Sequence, residues 1–125
     1  MVLAAKAGLQ SNDVVAAVSR SYASAGDTVV ETPFGALVDT PEVGGSAVIA
    51  ADAGIVECVL DETVDPGDVG PGIARLAAAG WTVVALVPLA RLGEAHRSLR
   101  RVQARLQPWW ADPDRGVCFG APEVP

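Results

Sequence analysis

Lysine is almost missing from this chain: Lys6 stands alone against eight arginines. Histidine is reduced to His96, and no neighbouring serine or cysteine suggests a catalytic triad with it. The two cysteines, Cys58 and Cys118, lie far apart in valine-rich runs and form no Cys-x-x-Cys pair. They read as small buried hydrophobes of a reducing cytosol, with a disulfide open to them only if their strands are neighbours. No apolar run approaches the roughly 18 residues that a membrane-crossing helix needs. Residues 1–9 are apolar but short, interrupted by Lys6, and lack the charged start of a secretory signal. The expectation is a soluble, cytoplasmic protein with no membrane contact. The glycine-rich stretches, Gly44-Gly45 and residues 67–72, carry neither a Gly-Lys-Ser/Thr phosphate loop nor a Gly-x-Gly-x-x-Gly turn.

What is present is apolar. Half of the 125 residues are hydrophobic, enough for one domain that buries about two-thirds of its unfolded surface. Heavy use of Ala, Val and Gly, with arginine over lysine, is the usage of a GC-rich bacterial genome. The net charge of −6 is unevenly spread. Residues 1–88 hold three cations against eleven carboxylates, and residues 89–125 hold six arginines against four. That balance argues against general nucleic-acid binding, which needs concentrated cations, and leaves the arginines near residue 100 as the one local exception.

The centre of the pattern is residues 80–88, a valine-rich run between Gly80 and Pro88 that reads as a strand covered on both faces. Before it, Ser11, Asn12 and Asp13 are candidate caps for a helix with Val14, Val15, Val18 and Tyr22 on one face. Residues 1–10 either extend that helix or lie loose. Strands are predicted at 27–32, 36–39, 46–50 and 55–60, the last two forming a hairpin about Asp52-Ala53-Gly54. A second helix is predicted from about residue 69 or 71 to 79. After the central strand, Leu92, Ala95, Leu99, Val102 and Leu106 recur at helical spacing, which predicts one long helix over 89–107. Pro108-Trp109-Trp110 would end it, and residues 117–119 suit an edge strand before a tail at 120–125. The fold class is α/β (mixed α+β): one three-layer-like domain with a mixed sheet, in the order α-β-β-β-α-β-α-(β).

The element order over roughly residues 12–87 resembles the core of the restriction-endonuclease-like superfamily, the PD-(D/E)XK nucleases. Members place an acid on the second strand and Glu-x-Lys or Asp-x-Lys on the third, and these hold a divalent metal. The resemblance implies Asp39 or Asp52 as the first acid, Glu57 as the second, and magnesium or manganese as cofactor. The family's lysine falls at Val59, which neither activates water nor stabilises phosphate charge. The resemblance therefore implies a member without nuclease activity. Without the family, Asp39, Asp52 and Glu57 read as strand-end, turn and sheet-face carboxylates, although Glu57 interrupts an apolar strand.

Arg97, Arg100, Arg101 and Arg105 form either an anion-binding face or a solvated one. Two adjacent indoles cannot easily both be buried, so Trp109 or Trp110 is a candidate contact residue. The function expected from sequence is a non-enzymatic protein-interaction module that binds a protein partner or itself as a homodimer, with no cofactor. The alternative is a metal-dependent nuclease or phosphodiesterase using Asp39, Asp52 and Glu57. A small-ligand site at the carboxyl ends of the strands is a third reading.

Overall fold

Strands that are apolar on both faces need a cover on each side. The computed structural model, which describes residues 11–125, supplies it with helices on both faces of one six-stranded mixed sheet. The two readings of residues 1–10 lie outside the described residues. Helix α1 (Ser11–Ser24) leads into β1 (Val29–Pro33), and a single helical turn, α2 (Phe34–Leu37), follows. Strands β2 (Ser46–Ala50) and β3 (Ile55–Val59) form the expected hairpin. Helix α3 (Pro66–Ala78) crosses over to β4 (Thr82–Pro88). A 3-10 turn (Leu89–Arg91) and α4 (Leu92–Ser98) cross to β5 (Arg105–Asp112), and β6 (Gly116–Phe119) closes the series.

Spatial order equals chain order, β1 to β6, with β3, β4 and β5 parallel to one another and the outer pairs antiparallel. The parallel joints fall where a helix intervenes, because only a crossover can bring the chain back in the same direction. Each boundary has a local cause. Gly26, at φ +94°, ends α1 in the left-handed region that glycine enters without strain. Asp65 caps α3 by accepting from Gly67 N at 2.9 Å, with Pro66 in the first turn.

The two faces are unequally covered. On one, α2, α3 and α4 enclose Phe34, Val56, Cys58, Ile73, Ala85, Val87, Leu99 and Leu106. On the other, α1 lays Val14, Val15 and Val18 against Val48, Val59, Val84, Leu86 and Trp109. Cys58 and Cys118 are free, on strands separated by β4 and β5.

Three expectations are corrected. Residues 36–39, read as a strand, belong to the α2 turn and its exit. Phe34 plugs the core there, and a Cβ on Gly35 would lie 2.6 Å from the Thr40 and Val43 carbonyl oxygens. Asp39, read as a strand-end acid, instead sits at φ +56° in the exit from that turn.

The long helix over 89–107 does not form. Leu99 leaves helical geometry (φ −109°, ψ 14°) with its side chain fully buried, and residues 105–109 pair with the far edge of β4. Helical spacing of the leucines is overridden because a covered parallel strand needs a partner on both edges.

Trp109 and Trp110 therefore lie within β5, where alternation sends them to opposite faces. Trp109 is only 6 % exposed and its indole donates to Leu60 O at 3.1 Å, while Trp110 is half-buried. The tail at 120–125 is tied to the sheet: Glu123 and Leu106 exchange backbone hydrogen bonds of 2.6 and 2.7 Å.

Candidate functional site

Strand alternation places Glu57 on the face that α1 covers. Its cross-strand neighbours there are Val48 on β2 and Val84 on β4, both buried, and Glu57 itself is 8 % exposed. A carboxyl among valines must find donors or carry an energetic penalty. One donor is present: Tyr22 of α1, at helical spacing from Val18, donates its hydroxyl to Glu57 Oε2 at 2.5 Å. The second oxygen, Oε1, is buried and has no hydrogen-bond partner among the described residues. A parallel link lies three residues earlier on α1, where Ser19 Oγ donates to Glu31 Oε2 at 2.5 Å. The two bonds fasten one side of α1 to β1 and β3.

Glu57 sits on the wall of a cleft of about 260 Å³ between α1 and the sheet. Ala17, Val18, Ser21 and Tyr22 form the helix side, and Leu86, Gln107 and Phe119 extend it over β4, β5 and β6. Gln107 is held by donating Nε2 to Gly120 O at 2.9 Å, which leaves its amide oxygen as an acceptor. Phe119, 37 % exposed, stands at the edge. Burial raises the Glu57 pKa above the ordinary carboxyl value, and donation from Tyr22 works in the opposite direction. The Tyr22 hydroxyl is itself pushed up, first by burial and then by its bond to Glu57, so it remains a donor.

The sequence-predicted residues are dispersed. Asp39 is exposed beyond α2. Asp52, in the β2–β3 turn, is exposed and accepts from Thr28 N at 3.1 Å through Oδ2. Among the described residues, no three His, Cys, Asp or Glu side chains gather as a metal-holding set. Val59, at the position that the nuclease-like resemblance assigns to lysine, is fully buried under α1. Arg97 is in the last turn of α4, Arg100 and Arg101 lie in the connection after it, and Arg105 opens β5; all four are exposed. His96 meets Glu123 at 2.9 Å.

Tyr22 and Gln107 were not singled out from sequence as site residues. A lone tyrosine on an apolar helix face did carry a signal, since a buried hydroxyl needs a partner. No helix of the described residues is long and apolar enough to cross a membrane. Comparison of the chain with protein-family models, with curated proteins and with solved structures returns no match.

Proposed function

We propose that this chain is a binding domain without chemistry of its own, and that the cleft between α1 and the sheet takes a small organic molecule. The observation that carries the reading is the unpartnered Oε1 of Glu57 at the cleft wall. Native proteins leave few buried polar atoms unsatisfied, and those that remain call for a reason. A ligand donor at Oε1 is such a reason. A perturbed carboxyl inside a concave, mainly apolar site is also the usual mark of a functional position. The competing use of Glu57, a tether for α1, accounts for Oε2 and leaves Oε1 unexplained.

A ligand that binds only the folded state raises stability by RT ln(1 + [L]/Kd). A fragment library followed by thermal unfolding and amide chemical shifts tests the reading directly. Hits are expected to move the resonances of Ser21, Tyr22, Glu57, Gln107 and Phe119 together. Hits that cluster elsewhere, or none at these five residues, reject the cleft as the functional site.

A further inference from the structure

The lining of the cleft is selective in charge. None of its eight residues is cationic, and Glu57 is its only carboxylate. The neighbours of Glu57 on β2 and β4 are Val48 and Val84. From α1 it meets Tyr22, beside which Asp27 adds further negative potential. Glu31, two strands away on the same face, is engaged by Ser19. Arg105 lies in the same cross-strand row on the other side, but it is exposed and forms no ion pair among the described residues. Among the described residues, an anionic ligand would find no countercharge in this cleft. A cation would supply the one that Glu57 lacks.

The acceptors also suit one head group. Glu57 Oε1, the Gln107 amide oxygen and the Ser21 hydroxyl are three acceptors on one lining, and a primary ammonium has three N–H donors. The rest is apolar: Ala17, Val18, Leu86 and Phe119. An engineered apolar cavity of about 150 Å³ holds benzene, so about 260 Å³ accommodates an aryl ring with a short amino-alkyl arm. The rings of Tyr22 and Phe119 add faces to which a cation is attracted.

We propose that the cleft binds a primary arylalkyl amine as its ammonium ion, the charged nitrogen against Glu57 Oε1 and the ring among Ala17, Val18, Leu86 and Phe119. This rests on the reading of the cleft as a ligand site. Where Glu57 is protonated beforehand, binding is an exchange: the carboxyl releases its proton to solvent and the carboxylate–ammonium pair forms, so affinity increases as pH rises through the Glu57 titration.

The test uses 2-phenylethylamine, neutral 2-phenylethanol and anionic 3-phenylpropionate, each titrated into the full chain by calorimetry and amide chemical shift. The amine is expected to move the resonances of Tyr22, Glu57, Gln107 and Phe119 and to bind at least about tenfold tighter than the alcohol, a difference of about 1.4 kcal/mol. Repetition in two buffers of different ionisation enthalpy, at a pH where carbon NMR finds the Glu57 carboxyl half protonated, should show proton release for the amine and none for the alcohol. Glu57→Gln keeps an acceptor for Tyr22, and it should remove both the preference and the proton release. The proton count on the unaltered chain serves if that variant does not fold. Alcohol or anion binding at these residues as tightly as the amine overturns the ammonium assignment and leaves the ligand site standing. Failure of all three probes to move these residues overturns the assignment, while the fragment screen decides the site separately.

Discussion

Removal of a single oxygen atom, in Tyr22→Phe, isolates what the buried pair contributes to the fold. The ring stays against α1's apolar face, and Glu57 loses the only hydrogen bond it receives among the described residues. A hydrogen bond to an ionised group is worth about 1.5–3 kcal/mol net, and one between neutral groups about 0.5–1.5 kcal/mol. The pH dependence follows from the direction of the Glu57 shift. A carboxyl whose native pKa lies above its unfolded one holds its proton more tightly when folded. Its stability contribution is therefore full below the ordinary carboxyl value and is lost as pH rises through the raised native value. Tyr22 is the influence that limits the rise. In Tyr22→Phe the pKa climbs further and the loss extends to higher pH.

The expected destabilisation is thus about 0.5–1.5 kcal/mol on the acid side and about 1.5–3 kcal/mol on the alkaline side. With a urea dependence of about 1–3 kcal/mol per molar, the alkaline midpoint falls by on the order of 1 M and the acid one by about half as much. Urea titrations of both chains across the window, with the Glu57 carboxyl followed by carbon NMR, supply every quantity. The difference between the acid and alkaline effects must equal 2.303RT times the extra rise in the Glu57 pKa. Equal losses on both sides of the window, or a Glu57 pKa that falls in Tyr22→Phe, refute the reasoning.

Trp109→Ala should destabilise by about 3–5 kcal/mol through lost burial and the cavity left behind, and it strands the Leu60 carbonyl as well; thermal unfolding measures it, with Trp110→Ala as the milder comparison. Gly35→Ala should lose about 1–3 kcal/mol to overpacking, because the new methyl would meet two carbonyl oxygens at 2.6 Å; an unchanged urea midpoint contradicts the close approach. Burial pushes the Cys58 thiol up, so iodoacetamide should label Cys118 alone in the folded chain and both cysteines in urea, as read by mass spectrometry. Manganese titration should show no micromolar site, since Asp39 and Asp52 stand at separate turns; a micromolar site that disappears in Glu57→Ala would restore the nuclease-like reading.

Strands β1 to β4 were legible because they are short valine-rich runs between Gly, Pro and Asp, although the same kind of run at residues 36–39 misled. The hairpin at 46–59, the crossover helix and the covered strand at 82–88 all follow from that pattern. The region after Pro88 was not legible by the same rule. Leu92, Ala95 and Leu99 do share a face, but Val102 lies in the connection and Leu106 in β5, so true helical spacing ran on by coincidence into a strand. Pro108 concealed that strand, because proline after a leucine-rich stretch reads as a helix stop. Glu57 was visible as a charge inside an apolar strand, yet alternation alone could not say whether its face was open or covered. That depends on a helix more than thirty residues earlier in the chain. The cleft, built from five separate elements, has no local signature.

Among the described residues, helix α1 is the one helix on its face of the sheet, and residues 25–28 are the covalent tie from it to the strands. The molecule can therefore be cut in two unequal parts at Gly26 without severing any strand or crossover. The larger fragment keeps the whole sheet but lays bare Val48, Val59, Val84, Leu86 and Trp109, a sticky surface that favours self-association. The smaller one, residues 1–26, carries Ser11–Ser24, and those fourteen helical residues are marginal as an isolated helix. Each fragment is thus incomplete in a way the other corrects. In the intact chain a short tether presents α1 at an effective concentration of about millimolar. A split version would depend on that concentration being supplied from outside, and a molecule held in the cleft, touching both α1 and the sheet, would act as the staple between the halves.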